Sequence, residues 1–480
     1  MRLSTKIAYN TIIQIVSKVI STALALAAVA IITRQLGQTG FGEYTTVVTY
    51  LSFFAIAADL GLTLITVQMI SKPDIDEDYV LGNLFGLRLV SALIFLAPAP
   101  LIAVFFPYSA AMKMGIIIAS FSFLFIALNQ VLVGVFQKNL RMDKVSIADI
   151  VSRVFLVVGI VIVYKFNYGL LSILLVTSLS SLVNFIFHFY FSRQFTIIKL
   201  RFDFRFWQEI MIKSWPLALT ITLNLIYLKT DTLLLSIVDR QSDIGILAEV
   251  GLYGAAYKVI DVLVTLPFMF AGIILPILTL SWSQGKKEEF STVLQKSFNV
   301  MAIIAIPVSL GTQLLAKDIM TLVAGPDFSG SGKILQILIL AAGMIFLGNM
   351  LAHAIIAIEK QKAVIKAYLF TAVTSVIGYL LLIPLYSYYA AAWVTVYSES
   401  VIALASIYII WKYTRFLPNL KIIIQTGAAS LLMCASIWLL HFFQINNLLI
   451  VLTVAILIYF FFLFLFNGLN RKEIIELLKK

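Results

Sequence analysis

Long apolar stretches alternate with short polar segments along the whole sequence. A helix that crosses about 30 Å of hydrocarbon needs roughly 20 mostly apolar residues. The stretches that meet this requirement are 8–32, 42–69, 81–105, 111–136, 146–164, 169–191, 214–237, 251–280, 297–316, 334–357, 364–386, 389–412, 421–441 and 447–467. The pattern predicts an all-α polytopic membrane protein with about 14 transmembrane helices.

The composition excludes a soluble protein of this length. Of the 480 residues, 61% are hydrophobic and 12% are charged, whereas globular proteins have about 45–50% and about 25%. So few charged side chains could not cover so much apolar surface in water. The segments between the spans are too short to fold as domains, so we expect no soluble catalytic domain and no enzyme.

Cysteine and histidine indicate neither a disulfide nor a metal site. Cys434 is the only cysteine, and His188, His353 and His441 are far apart in the sequence. We therefore expect no cofactor other than a transported coupling ion, Na⁺ or H⁺.

The basic residues are distributed unevenly over the segments between the spans. With the N-terminus inside, the cytoplasmic segments hold 24 of the 35 lysines and arginines, and the outer loops hold 6. Cytoplasmic loops carry such an excess, and an error of one helix would invert it for every later segment. The asymmetry supports the span count and predicts that both termini are cytoplasmic. The net charge of +12 is then an orientation signal, and we expect no nucleic-acid partner.

Charged residues inside the predicted spans are the candidates for function. A charge at the middle of a span costs about 2.5–3.5 kcal/mol on insertion scales, so such residues normally face a wet cavity or a partner. The basic ones are Lys18, Arg88, Arg153, Lys229 and Lys258, and the acidic ones are Asp59, Asp149, Asp231, Asp261 and Glu399.

Two pairs of these charges are spaced so that they can neutralise each other. Asp149 and Arg153 are four residues apart, and Lys258 and Asp261 are three apart, so each pair shares one helix face. For Asp149 and Arg153 we favour this simple pairing.

Four other charges have no opposite charge within a turn of their own helix. Lys18 and Arg88 are therefore candidates for holding an anion. Asp59 and Glu399 are isolated carboxylates, and a buried isolated carboxylate is suited to carry a proton or to bind Na⁺.

Polar side chains form stripes on two predicted spans. Steps of three and four residues place each stripe on one helix face. The stripes are Asn10, Gln14, Ser17, Lys18 and Ser21 on the first span and Thr220, Asn224, Tyr227 and Asp231 on the seventh. The eighth span carries the polar residues Tyr253, Tyr257, Lys258, Asp261 and Thr265. Interhelical hydrogen bonds could explain polar faces, but they would not require Lys18 or Asp231. We favour two walls of one aqueous cavity for the first and seventh spans.

A short motif recurs at equivalent places in the two halves of the chain. Gly42-Glu-Tyr44 opens the second span and Gly251-Leu-Tyr253 opens the eighth. Transporters are often built from repeats with the binding site between them. We predict two pseudo-symmetric six-helix bundles, residues 1–208 and 209–413, followed by two additional helices and a cytoplasmic tail at 414–480.

Several motifs, taken in their order, resemble a known family. They are Arg34-Gln-Leu-Gly37, Gly40-Phe-Gly-Glu-Tyr44, Asp59-Leu-Gly61, Val250-Gly-Leu-Tyr-Gly-Ala-Ala-Tyr-Lys258 and Leu382-Ile-Pro-Leu385 followed by Ala390-Ala-Ala392. The order resembles that of the polysaccharide-synthesis flippases, the Wzx-type branch of the multidrug/oligosaccharidyl-lipid/polysaccharide exporter superfamily. The glycine that this family usually has before the three alanines is replaced here.

The resemblance implies two six-helix bundles that alternate between inward-open and outward-open states in the plasma membrane. Its family cargo is a polyprenyl-pyrophosphate-linked oligosaccharide, which moves from the cytoplasmic to the outer leaflet for assembly of O-antigen, capsule or teichoic-type polysaccharide. The implied partners are that glycan, membrane lipids and glycan polymerase machinery. Cations on the first and eighth helices are thought to hold the pyrophosphate, and Lys18 and Lys258 occupy comparable places, with lysine instead of the common arginine.

The residues and the resemblance together give a set of candidate site residues. For the cargo they are Lys18, Arg88, Lys258, Lys229, Gln14, Asn224, Tyr253 and Tyr257; for ion coupling they are Asp59, Asp231, Asp261 and Glu399. The alternatives within the superfamily are an ion-coupled multidrug antiporter and a lipid II flippase. A membrane glycosyltransferase or polymerase would need a larger outer loop with catalytic carboxylates or arginines.

Overall fold

The computed structural model describes residues 3–59, 61–62, 66, 69–70, 76–196, 198–445 and 447–468, and these contain helices and no strand. Within them, the side chains of 3–12, 213, 216–217 and 220 are excepted. Asn10 and Thr220 of the predicted stripes therefore lie outside the described side chains. Of the basic residues counted in the cytoplasmic segments, Arg2, Lys72 and those after residue 468 lie outside the described residues.

The helices follow the apolar stretches closely. Their bounds are α1 Leu3–Asp59, α2 Glu77–Leu96, α3 Ala99–Ile102, α4 Ala110–Lys138, α5 Met142–Lys165, α6 Leu170–Ser192, α7 Phe204–Ile237, α8 Ile246–Ser283, α9 Lys287–Ala324, α10 Ser331–Ala357, α11 Gln361–Thr414, α12 Lys421–Phe442 and α13 Leu448–Leu465, with 3₁₀ turns at Ala103–Phe105 and Pro326–Phe328. The prediction of an all-α polytopic protein is confirmed.

Two of the helices are interrupted by a residue with a non-helical backbone. Gly37 in α1 has φ 63° and Ser387 in α11 has φ 49°, so each helix consists of two segments. Each segment corresponds to one predicted stretch. Among the described residues, 11 helices are long and apolar enough to cross a membrane. The number of fourteen spans stays a prediction.

Short polar side chains begin several helices at the predicted loop positions. The first backbone N–H groups of a helix have no partner within it, and Ser, Asn and Asp can accept from them. Such capping residues are Asp76, Ser109, Asp203 and Asn447. A cap of this kind contributes about 1 kcal/mol.

The segment between α6 and α7 is fixed against α2. The Arg201 N–H donates to the Gly82 carbonyl at 3.2 Å, and the Asp203 N–H donates to Asn83 Oδ1 at 2.9 Å. The Tyr79 hydroxyl donates to Asp203 Oδ2 at 2.5 Å, and this hydrogen bond lowers the pKa of the Asp203 carboxyl. Residues 201–203 are therefore hydrogen-bonded to the first two turns of α2.

The chain divides into two compact units, Met1–Gly254 and Ala255–Lys480. In the first unit, Val47 and Tyr50 of α1 pack with Met112 of α4 and Leu174 of α6 in a buried apolar cluster. The predicted bundle boundaries at 208 and 413 stay predictions.

In the second unit, the last two helices pack against α9. Leu315 of α9 lies in one apolar cluster with Met433 of α12 and Val451 of α13. The Tyr459 hydroxyl of α13 donates to the Ile303 carbonyl of α9 at 2.7 Å. The helix pair is therefore anchored on this unit by both apolar packing and a hydrogen bond.

The repeated glycines lie at a close helix contact within the first unit. Gly42, in the second segment of α1, and Gly251, near the start of α8, are both buried. A Cβ built on Gly42 would collide with the Leu247 carbonyl oxygen and lie 3.1 Å from the Gly251 nitrogen. A Cβ on Gly251 would collide with the Gln38 carbonyl oxygen and lie 3.1 Å from the Gly42 nitrogen. The recurring motif thus brings two backbones together where no side chain fits.

We expect Gly42→Ala to destabilise the protein by about 1–3 kcal/mol, because overpacking forces the two backbones apart. The measurement is the thermal unfolding midpoint of the purified protein in detergent. Gly272→Ala is the matched control in α8, since nothing lies within 4 Å of a Cβ at that position. Equal midpoints for the two variants would contradict the contact.

Candidate functional site

Arg88 is enclosed at the meeting point of α1, α2 and α4. Its side chain is 3% exposed, and Nη1 lies 2.5 Å from Oδ1 of Asp59. Nη1 also donates to the Asp59 carbonyl at 2.9 Å, while Nε donates to the Ala127 carbonyl at 2.9 Å. Ser91, one turn along α2, donates to the Ala58 carbonyl at 2.8 Å. One ion pair and three hydrogen bonds therefore hold the C-terminal end of α1 against α2 and, through Arg88, against α4.

This pairing corrects one expectation. The sequence suggested that Arg88 and Asp59 each act without a partner, because neither has an opposite charge within a turn of its own helix. The structure shows that they are partners of each other across 29 positions. A role for either residue in cargo binding or ion coupling stays a prediction.

Asp231 is completely buried between α7 and α8. It accepts a hydrogen bond from the Tyr253 hydroxyl at 2.5 Å and another from the Thr232 N–H at 2.5 Å. Lys229 lies close enough to act on it electrostatically. Asn224, two turns earlier on α7, donates to the Tyr227 hydroxyl at 2.6 Å. Asp231 was predicted for ion coupling and Tyr253 for cargo binding, but a hydrogen bond joins their side chains.

Lys258 and Asp261 form a loose ion pair on α8. Lys258 Nζ lies 3.7 Å from Asp261 Oδ2, and the two side chains are 32% and 41% exposed. The suggestion that these two residues neutralise each other is confirmed. Tyr257 beside them is half-buried. A pair this long and accessible can exchange one partner for another anion or cation at little cost.

The expected pair of Asp149 and Arg153 is wrong. No ion pair joins them among the described residues, and Arg153 is exposed. Asp149 of α5 instead accepts from Asn184 Nδ2 of α6 at 3.0 Å, and Asn129 of α4 donates to Asn184 Oδ1 at 2.7 Å. His188 Nδ1 lies 2.9 Å from the Asn184 carbonyl. Sequence reasoning missed this network, although amides on successive spans were a visible signal for it.

Glu399 lies in the second segment of α11 and is 6% exposed. The Tyr379 hydroxyl and Thr395 Oγ1 are 3.4 Å apart, so the two segments of α11 pack against each other on either side of the break at Ser387. Glu399 also lies close enough to Tyr368, on the first segment, to act on it electrostatically.

Several buried polar atoms of α10 and α11 have no hydrogen-bond partner among the described residues. They are Asn349 Nδ2, Thr371 Oγ1, Ser375 Oγ and Ser406 Oγ. The two helices are in close contact one turn from Glu399, because a Cβ on Gly348 would lie 3.1 Å from Ala403 Cβ. Unpaired buried polar groups are normally completed by water or by an ion. These helices can therefore accommodate either.

Lys18 and Gln14 are exposed on the first segment of α1, beside the buried Ser17. Lys18 has no ion pair with any described residue, unlike Arg88 and Lys258. It therefore differs from these two candidate cations in being available to an anion. The common cavity predicted for Lys18 and Lys258 involves both units and stays a prediction.

Comparison with known proteins agrees with the family suggested by the motifs. A family model described as "Polysaccharide biosynthesis protein" matches residues 7–282. The capsular polysaccharide biosynthesis protein CapF of Staphylococcus aureus is 26% identical over 307 residues, which cover 62% of this chain and 74% of CapF.

Solved transporter structures have a similar fold. The lipid II flippase MurJ in an inward closed conformation has a TM-score of 0.74 at 15% identity, with 95% of this chain and 98% of that chain covered. A multidrug resistance transporter of the MATE family, in an inward-facing conformation, has a TM-score of 0.64 at 14% identity, with 84% of this chain and 97% of that chain covered. The fold is therefore that of the superfamily's transporters.

We expect Asp59→Leu to destabilise the protein by about 3–5 kcal/mol, because it leaves the buried Arg88 guanidinium without its counter-charge. The double variant Asp59→Leu/Arg88→Met should recover much of that loss. Thermal midpoints in detergent provide the measurement.

The partly exposed pair provides the control for this cycle. The cycle made of Asp261→Leu, Lys258→Met and the double variant should give a coupling energy of only about 0–1 kcal/mol. If Asp59→Leu were no more costly than the double variant with Arg88→Met, the buried ion pair would have no part in stability.

Proposed function

The chain belongs to the polysaccharide biosynthesis protein family, and on that premise we propose that it is a flippase for a polyprenyl-pyrophosphate-linked oligosaccharide. It moves this glycan from the cytoplasmic to the outer leaflet of the plasma membrane by alternating access, for assembly of a surface polysaccharide. Both termini are cytoplasmic in this proposal. The glycan polymerase machinery receives the product on the other side.

The observation that carries the proposal is the exposed charge of Lys18 on the first helix, which has no ion pair with a described residue. A pyrophosphate cannot cross hydrocarbon unaided, because its charges would lose their water. A lysine in this position can replace part of that water by charge-assisted hydrogen bonds. Gln14, one turn away and also exposed, provides further hydrogen bonds to the same headgroup.

Lys258 is the second cation for the pyrophosphate. Its 3.7 Å pair with Asp261 is long and accessible, so a diphosphate can displace the carboxylate. Lys229, Asn224 and Tyr257 are assigned to the oligosaccharide and the outer phosphate. Arg88 is better suited to position the first helices, since its pair with Asp59 is buried and short.

Asp231 and Glu399 are the carboxylates that we assign to ion coupling. Both are buried, and neither forms an ion pair with a described residue. Asp231 has Tyr253 as a hydrogen-bond donor, and Glu399 shares α11 with three buried hydroxyls that have no partner among the described residues. Binding of H⁺ or Na⁺ at either carboxylate removes a charge that the surrounding helices must otherwise accommodate. Without an ATPase domain in the described chain, such a gradient or the membrane potential supplies the energy.

We expect Lys18→Glu to abolish surface-glycan assembly in a host whose own flippase gene is deleted, while the protein still reaches the membrane. The reason is repulsion between two negative groups at the cargo's headgroup. Lys333→Glu is the matched control, because Lys333 is an exposed lysine in the second unit outside the candidate site. Normal glycan from Lys18→Glu would remove Lys18 from the proposal, and drug export with no glycan flipping would favour the multidrug alternative.

We expect Glu399→Gln to abolish the dependence of flipping on an ion gradient. The amide keeps the size of the side chain but can neither bind a proton nor carry a charge. The measurement is translocation of a fluorescent lipid-linked oligosaccharide in proteoliposomes, with a pH gradient and a Na⁺ gradient imposed separately. Asp318→Asn, at the end of α9 and outside the buried cluster, is the control. Flipping by the parent protein that ignores both gradients would exclude the coupling role.

A further inference from the structure

A polar pocket of about 240 Å³ lies in the second unit, beside the start of α12 and the end of α13. Such a pocket stands out in a chain with 61% hydrophobic residues. Its polar side chains are Gln295 and Asn299 of α9, Asn419, Lys421 and Gln425 around the start of α12, and Asn467 after α13. These residues are not among the candidates for cargo or coupling.

Hydrogen bonds within the pocket fix its amides. Gln295 Nε2 donates to Asn299 Oδ1 at 2.8 Å, and Gln295 Oε1 accepts from the Asn419 N–H at 2.7 Å. Asn419 Oδ1 accepts from the Lys421 N–H at 2.9 Å. These bonds occupy amide oxygens that would otherwise face the cavity. The NH₂ groups of Asn299 and Asn419 have no acceptor among the described residues.

The groups left for a ligand are therefore mainly donors, although Gln425, whose NH₂ group donates to the Phe466 carbonyl at 2.8 Å, keeps its amide oxygen as an acceptor. Among the described residues that line the pocket, Lys421 has the only charge and none has a carboxylate. The Lys421 ammonium has no ion pair with a described residue. One ammonium together with amide N–H donors matches an anion with several oxygen atoms, which accepts charge-assisted hydrogen bonds. A phosphate group has this chemistry and fits this volume.

The pocket lies at the level where two membrane helices end. α12 begins at Lys421 and α13 ends at Leu465, so the cavity is at the boundary between apolar span and polar surface. Exposed apolar side chains occur at the same two helix ends, since Ile424 near the start of α12 is 73% exposed and Leu465 at the end of α13 is 59% exposed. A polar cavity beside exposed apolar surface matches a lipid, whose phosphate and acyl chains meet at this depth. This arrangement favours a lipid headgroup over free phosphate.

We propose that this pocket binds the phosphate group of an anionic membrane lipid and so fixes the C-terminal helix pair in the bilayer. The site is separate from the cargo residues, and the proposal does not depend on the proposed function. Lys421 supplies the charge, while Asn299 and Asn419 supply directional donors.

The test uses the full chain in detergent, titrated with dioleoylphosphatidylglycerol while the thermal midpoint is followed. We expect the lipid to raise the midpoint of the parent protein. Lys421→Gln should weaken the apparent affinity about tenfold, because it removes one charge-assisted contact. Asn299→Asp should weaken it as well, by placing a negative charge in the cavity. Lys333→Gln, an exposed lysine of the same unit, should leave the titration unchanged.

Further arms distinguish the sources of the phosphate. Dioleoylglycerol, which has the same chains and no phosphate, should not raise the midpoint. If inorganic phosphate reproduced the full effect at the same concentration, the lipid assignment would be overturned in favour of a free-phosphate site. Identical titrations for the parent, Lys421→Gln and Asn299→Asp would overturn the site itself. Because Lys421 is exposed, Lys421→Gln is expected to fold and keeps the test decisive.

Discussion

Hydrocarbon can neither donate nor accept a hydrogen bond, and the structure of this chain depends on that constraint. Many polar groups within the described spans are satisfied by the protein itself. Thr33 donates to the Val29 carbonyl at 2.9 Å, and Thr177 donates to the Ile173 carbonyl at 2.9 Å, so these hydroxyls are satisfied within their own helices. Arg88 of α2 donates to backbone carbonyls of both α1 and α4. Hydrogen bonds of this second kind hold particular helices together as neighbours.

The same constraint explains what could be predicted from sequence. The length of an apolar stretch is set by the thickness of hydrocarbon, so spans are readable without knowledge of packing. Stretches 364–386 and 389–412 look like separate helices, and the structure has two helical segments there, separated at Ser387. The sequence did not show the residue at which this break falls. Serine carries little sign of a positive φ, whereas Gly37 at the corresponding break in α1 allows it without strain.

The partners of buried charges could not be predicted for a related reason. Local spacing reveals only neighbours on one helix face, which sufficed for Lys258 and Asp261. It did not reveal the pairing of Arg88 with Asp59, which depends on how α1 and α2 meet. It also suggested a pairing of Asp149 with Arg153 that an amide from α6 replaces. Tertiary neighbours compete with helix neighbours, and sequence periodicity contains only the latter.

The recurring glycine motif has a physical explanation. Gly42 and Gly251 would each place a Cβ 3.1 Å from the other's nitrogen, so the two copies meet each other. A symmetric contact of this kind requires the same small residue on both sides, and a change in either copy affects both. The close contact between the two backbones therefore requires glycine in both copies of the motif.

Arginine and lysine are used differently along this chain, and the difference bears on transport. Arg240 donates to Glu249 at 2.6 Å and to two backbone carbonyls at 2.8 and 2.9 Å, and like Arg88 it is buried in fixed geometry. Its planar fork suits several acceptors held in place. Lys18 and Lys258 are more accessible, and a lysine is a compact charge on a flexible stem. In the proposed mechanism the pyrophosphate must be released after it is bound, and a flexible point charge holds a diphosphate less rigidly than a guanidinium fork. Under that proposal, lysine at positions 18 and 258 favours release of the cargo over its retention.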